Sequence, residues 1–203
     1  MFYYCLIRWL RPRRIVDIGG GFATLIADAA IRKNGFGEII SIAPNPAPFI
    51  ERIETVRENI RTPLQQIPLE QLTELMDSAD ILFTDTTHSV KIGSDCLYLY
   101  LVLLPSLKAP LMVHAHDIFL PFGMPTNWAS EQHFHGTEQY LLYAYLLNNN
   151  NARVVFGSIY ATHFMASEAG RLMRNRHSVG GGSLWFQINE SGDAGFQPEA
   201  LFT

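Results

Sequence analysis

Cysteine is scarce in this chain. Cys5 and Cys96 are the only two in 203 residues, with no metal-type spacing between them. That excludes a disulfide framework and a cysteine-built zinc site, and the pair reads as reduced thiols of a cytoplasmic protein. Basic charge is also lacking. Fifteen Lys and Arg stand against nineteen Asp and Glu, a formal net charge of -4, and they gather on no long basic face. Nucleic-acid binding therefore has no electrostatic support. Long hydrophobic runs are missing too. The apolar start, Met1 to Leu10, is short, is interrupted by Arg8 and precedes no small-residue cleavage site. A signal peptide, a membrane span or a membrane partner is not expected. This stretch reads as a helix packing on a sheet. The chain starts abruptly there, which leaves open that a substrate-covering N-terminal segment is absent. No internal repeat or domain boundary shows, so residues 1–203 read as a single domain.

What is present is a core. Hydrophobic residues make up 48% and charged residues 17% of the chain, so it is globular rather than disordered. The pattern centres on Arg14 to Leu25. A β-branched run ends in Asp17, Gly19-Gly20-Gly21 follow, and a helical pattern runs from about Ala23 to Arg32. Glycines let the backbone turn sharply and approach a ligand, and a helix N terminus offers free N–H groups and a positive dipole end. Strand, glycine loop and helix together make a nucleotide-cofactor cradle. The dinucleotide pattern G-x-G-x-x-G fails at Thr24. Asp17-x-Gly19-x-Gly21 is instead similar to the acid-x-G-x-G loop of class I S-adenosylmethionine (SAM) methyltransferases. An acid there suits the cationic amino-acid end of SAM better than a pyrophosphate. The plainer alternative is a glycine-rich turn with no ligand.

Further strands are expected at 36–42, 79–85, 110–117, 152–158 and 183–188, and a short strand or extended segment at 63–68. Helices are expected at 49–59, 69–76, 91–107 (with Leu97, Tyr100, Leu101 and Leu104 on one face) and 138–147. A long irregular segment, 118–136, is rich in Pro, aromatic and His residues, as a lid or substrate wall is. The last two strands lack an ordinary crossover helix. Alternating strands and helices give an α/β, doubly wound, mostly parallel sheet. Asp17, Asp85, His116 and Asp117 all fall at C-terminal strand ends, where such sheets bind ligands.

The chain resembles class I SAM-dependent methyltransferases, in a bacterial branch with D-x-x-H and H-D-I-F-L-P motifs. The matching stretches are Arg14 to Leu25, Ile81 to His88 with Lys91 to Asp95, and Val113 to Pro121; Glu138 to Leu142 and Ser183 to Trp185 also resemble that branch. The resemblance covers nearly the whole chain. It implies a Rossmann-like seven-stranded sheet with the last strand antiparallel, and SAM as cofactor. It also implies a departure. The acid that usually binds the ribose at the second strand tip is replaced by Ala43, leaving Asn45 for one hydrogen bond. Gln65 and Gln66 stand where an adenine contact is often found, and Gln66 is the expected cofactor residue. Losing a charge-assisted bond costs roughly 1.5–3 kcal/mol.

The expected site follows. Asp17, Gly19, Gly20, Gly21, Asn45, Gln66 and Asp85 hold the cofactor. His88, just past Asp85, is the general base, since a near-neutral imidazole suits that role; the plainer reading is a polar core histidine. Asp85, His116 and Asp117 are candidate ligands of a divalent metal, Mg²⁺ or Mn²⁺, as carboxylates are in related sugar and catechol O-methyltransferases. The alternative is that His116 and Asp117 bond the neighbouring loop. Phe119, Phe122, Trp128 and Phe134 form an apolar substrate wall or a satellite core. His114 shares a face with His116, and His133 and His135 stay unassigned. The expected activity is O-methylation of a small molecule. A non-catalytic binding protein on the same fold, favoured by Ala43, and a metal-dependent oxygenase are the rivals. A homo-oligomer stays open.

Overall fold

A computed structural model describes residues 2–174, 176 and 180–189. Helix α1 (Phe2–Leu10) leads into β1 (Arg14–Ile18), α2 (Phe22–Asn34) and β2 (Glu38–Ile42). Then come β3 (Val56–Ile60), α3 (Leu69–Asp77) and β4 (Ile81–Thr84). A broken helix follows, as α4 (Asp95–Tyr98), a π-helical stretch (Leu99–Leu103) and α5 (Leu104–Ser106). The chain continues through β5 (Leu111–His116), α6 (Thr126–Ser130), α7 (Glu138–Leu146), β6 (Ala152–Gly157), α8 (Ser158–Phe164), α9 (Ala166–Leu172) and β7 (Ser183–Ile188). No helix among the described residues is long and apolar enough to cross a membrane.

The seven strands form one sheet in the order β3-β2-β1-β4-β5-β7-β6, and β7 runs antiparallel to both its neighbours. The strand order reverses at β1 and β4, whose carboxyl ends therefore flank the crevice of a doubly wound sheet. Both faces are covered, which is why the central strands read as unbroken apolar runs. One face buries Val16, Ile40, Leu82, Val113 and Phe186 under α3, the broken helix and α7. The other buries Ile15, Ile39, Phe83, Met112 and Trp185 under α1 and α2. Each such large side chain contributes about 1.5–3 kcal/mol on burial.

Three expectations change. Residues 49–59 are not a helix: the chain makes a 3-10 turn at Ile50–Arg52 and then β3. The apolar spacing of Ile50, Ile53 and Val56 is real, but the open edge of β2 needs a partner, and Ile39 pairs with Val56 and Ile42 with Ile60. Residues 63–68 hold a 3-10 turn, Leu64–Gln66, rather than a strand. The 91–107 helix starts only at Asp95, where the Ser94 hydroxyl accepts from the Leu97 N–H. Its buried face is Cys96, Leu99, Tyr100, Leu103 and Leu104, while Leu101 is exposed. Nearly every position from Cys96 to Leu104 is apolar, so periodicity alone does not choose the face. Between β6 and β7 the described residues of the connection carry the seven-residue α8 and α9.

Candidate active site

The glycine loop is built by its own backbone. Gly19 (φ +141°) and Gly20 (φ +59°) adopt conformations that favour glycine. A Cβ on Gly19 would sit 3.0 Å from the Asp85 carbonyl, and one on Gly20 3.1 Å from Ser41 Oγ. Gly21, at the N terminus of α2, faces open space. Asp17 lies beneath this loop, fully buried. Its carboxylate accepts from the Thr24 hydroxyl and, at 3.4 Å, from the Gly20 N–H. Burial pushes its pKa up to about 6, against those two hydrogen bonds and with a small addition from Asp85. Asp17 thus organises the loop from below.

A cavity of about 420 Å³ opens beside the loop, within the ordinary range for cofactor sites. The ends of β1, β2, β3 and β4 supply its walls: Gly19, Ala43, Asn45, Gln65, Asp85 and Lys91 among them. Ala43 stands at the tip of β2, its N–H bonded to Ile60 O at 3.1 Å, so the position expected to lack an acid does lack it. Gln65, not Gln66, reaches the cavity; Gln66 is exposed on the far side of the 3-10 turn. The Gln65 Nε2 donates to Gly93 O at 3.1 Å, which fixes the amide, and its buried Oε1 has no partner among the described residues.

Asp85 joins this cavity to a second set of groups. His88 Nε2 lies 3.0 Å from Asp85 Oδ1 and 3.8 Å from Asp117 Oδ2, and His88 Nδ1 lies 2.6 Å from Glu138 Oε2. His116 Nδ1 lies 3.2 Å from Asp117 Oδ1 and 3.7 Å from Asp85 Oδ1. The four expected residues therefore meet. His88 and Asp117 both hold positive φ, 54° and 55°, a strained setting concentrated at functional sites.

Glu138 is the residue that sequence reasoning missed. It is fully buried at the first turn of α7 and accepts from His88, from the Thr86 hydroxyl at 2.7 Å and from the Tyr100 hydroxyl at 2.7 Å. The π-helical stretch carries Tyr100, so the break in that helix helps to aim the hydroxyl. Three donors satisfy a charge that burial would otherwise penalise.

The environment changes the expected role of His88. Carboxylates face both its nitrogens, and despite its burial they raise its pKa to about 10. A doubly hydrogen-bonded imidazolium has no free lone pair, so His88 is not poised as a neutral general base. His116 is more open: its side chain is 41% exposed, while its buried Nδ1 faces Asp117 and Asp85 without hydrogen-bond geometry, and those carboxylates raise its pKa against burial. Burial pushes the pKa of Asp85 up, but the hydrogen bond from His88 and the charges of His116 and His88 together outweigh it; the net shift is downward, keeping it ionised.

The aromatic wall divides. Phe134 meets the His88 ring edge-on at 5.8 Å and Trp128 at 5.2 Å, and Trp128 meets Phe119 at 5.1 Å. Phe122 instead packs on His163 and Phe164. His133 and His135 are exposed. A larger apolar hollow, about 710 Å³, lies between α7, β6 and α8, and among the described residues its lining carries no acid or base other than tyrosines.

No protein-family model and no curated protein sequence matches the chain. Solved structures do. The plantazolicin methyltransferase BpumL in complex with SAH is similar with a TM-score of 0.55 at 10% identity, over 93% of this chain and 82% of that one. An O-methyltransferase from Bacillus cereus in complex with SAH gives 0.50 at 11% identity, over 93% and 79%. An O-methyltransferase family protein from Burkholderia thailandensis gives 0.54 at 12% identity, over 95% of this chain and 55% of that one. The fold is the Rossmann-like methyltransferase fold.

Proposed function

We propose that this chain is a SAM-dependent methyltransferase acting on an oxygen of a small molecule. The observation that carries the reading is Asp85, which belongs both to the cavity beside the glycine loop and to the imidazole and carboxylate cluster. A cofactor cradle that opens directly onto acid–base groups is what group transfer needs. The SAH-bound relatives of the same fold agree with it.

The residues fit SAM with one departure. Gly19 and Gly21 give close backbone approach, and the buried anion of Asp17 favours a cationic ligand above the loop. The unpartnered Gln65 Oε1 is an acceptor for the adenine amino group. Asn45 and Lys91 are left for the ribose, without the bidentate carboxylate that Ala43 replaces. That loss weakens affinity by roughly tenfold or more. Bound SAM supplies an electrophilic methyl group. His116, with Nδ1 turned toward Asp85 and Asp117, takes the proton of the acceptor hydroxyl on Nε2. Asp85 and Asp117 hold the resulting imidazolium.

A divalent metal also fits. Ligand atoms of Asp85, His88 and Asp117 lie within 4.8 Å of one another. With an ion bound, His88 would give up its Nε2 proton and turn that nitrogen to the ion while Glu138 keeps Nδ1–H, the usual support of a metal-bound histidine. His116 is then beside the ligand set rather than in it. One imidazole among oxygens favours Mn²⁺ over Mg²⁺, and the ion would lower the pKa of an acceptor hydroxyl.

The test is turnover with methyl-labelled SAM and a panel of small hydroxylated acceptors, read by mass spectrometry. Label in an O-methyl product supports the reading. SAM binding with no transfer to any acceptor, and with no change when Asp85 is replaced, favours the non-catalytic binder that Ala43 suggests.

A further inference from the structure

A second, smaller chamber of about 150 Å³ lies on the α1 and α2 side of the sheet, next to His116. Its lining includes Phe2, Tyr3, Phe83, His114, His116 and Gly182. Tyr3 stacks on Phe83 at 4.9 Å, and the His114 ring stands 4.8 Å from Tyr3 and 4.9 Å from Phe83. These rings pack against one another, with Trp185 stacked on His114 at 4.2 Å, and make one continuous aromatic wall. Gly182 closes the chamber toward Phe119, where a Cβ would come within 2.7 Å of the ring.

The chamber is more than a packing defect. Tyr3 is 6% and His114 3% exposed, yet Tyr3 Oη and both His114 ring nitrogens have no hydrogen-bond partner among the described residues. Buried polar groups without partners are rare and costly. Several in one small hollow, beside the acid–base cluster, mark a place for a ligand that completes them. A cavity of roughly 150 Å³ is large enough for a benzene-sized ring, and aromatic walls favour a flat ring edge-on or offset. Among the described residues His116 is the one half-exposed imidazole lining it and no Asp, Glu, Lys or Arg does, which suits a neutral ligand.

We infer that this chamber seats the methyl acceptor, as a single neutral six-membered ring with polar atoms at opposite ends. One polar atom completes Tyr3 and His114. The opposite hydroxyl sits at the His116 end, toward Asp85 and Asp117. The inference rests on the methyltransferase reading for the acceptor's fate, but the ring site stands on its own geometry.

Hydroquinone, kept reduced with ascorbate, is the probe and benzene the apolar control. Binding to the full chain is followed by NMR, with and without SAH, for the wild type, Tyr3→Phe and Ala23→Leu. Tyr3→Phe keeps the ring stack and removes only the hydroxyl. Ala23 lines the chamber from α2, and leucine there fills it. The expected result is saturable hydroquinone binding, weakened about fivefold by Tyr3→Phe while benzene binding is unchanged, and loss of both by Ala23→Leu. Absent hydroquinone binding, or binding untouched by both substitutions, overturns the inference and leaves ordered water as the partner of Tyr3 and His114. Calorimetry with SAM separates the two readings. SAM binding without hydroquinone binding refutes the ring site alone. Hydroquinone binding in the chamber without SAM binding refutes the methyltransferase reading alone.

Discussion

Replacing Asp17 by asparagine should change how stability depends on pH. The carboxyl group is fully buried and its pKa is raised from an ordinary 3.8 to about 6. Between those values the folded chain binds more protons than the unfolded one, so stability falls as pH rises. The shift corresponds to about 3 kcal/mol, all of it lost once pH exceeds the folded value. For a chain of this size that is a fall in Tm of about 6–12 °C. Asparagine keeps the shape and accepts the Gly20 N–H, and the Thr24 hydroxyl can rotate to accept from its amide. The assay is thermal unfolding of both proteins from pH 4 to 7.5. The difference in Tm, variant minus wild type, should climb through pH 4–6 and then level off. A flat difference, or one that falls with pH, refutes the claim that Asp17 is a strained buried anion. The same substitution should weaken SAM binding, since the anion's unfavourable burial is what a cationic ligand relieves.

Three further outcomes follow from the site. Ala43→Asp should tighten SAM by about tenfold through restored charge-assisted bonds to the ribose, measured by calorimetry; no gain would mean that Asn45 and Lys91 already satisfy it. Glu138→Gln should lower kcat by at least tenfold with little change in SAM affinity, since Glu138 orients His88 and does not line the cofactor cavity; an equal loss in SAM affinity would point to general unfolding instead. His116→Ala should remove more turnover at neutral pH than at high pH, where hydroxide or the acceptor's own ionisation substitutes for the base; a pH-independent loss would assign His116 to positioning.

The sequence carried the central strand, glycine loop and helix because each signal there is local: a β-branched run, three adjacent glycines and a helical stripe. Asp85, His116 and Asp117 were legible for the same reason, as polar residues ending apolar strands. β3 was not. It is an edge strand whose residues Arg57, Glu58 and Asn59 show no alternation, and its partner β2 lies outside any local window. Glu138 looked like an ordinary acid in the first turn of a helix. What marks it is burial against Tyr100, His88 and Thr86, which lie 38, 50 and 52 residues away. Without Glu138 in view, His88 read as a neutral base, because only its second carboxylate fixes both ring protons. Gln65 and Gln66 exchanged places because a 3-10 turn, not a strand, sets which amide faces the cavity.

The most direct test of the account is a crystal structure of the chain grown with SAH. The account expects the ligand along Gly19 to Gly21, with the adenine amino group on Gln65 Oε1 and the sulfur toward Asp85. SAH bound elsewhere, or no binding at millimolar concentration in a parallel calorimetric titration, would contradict it.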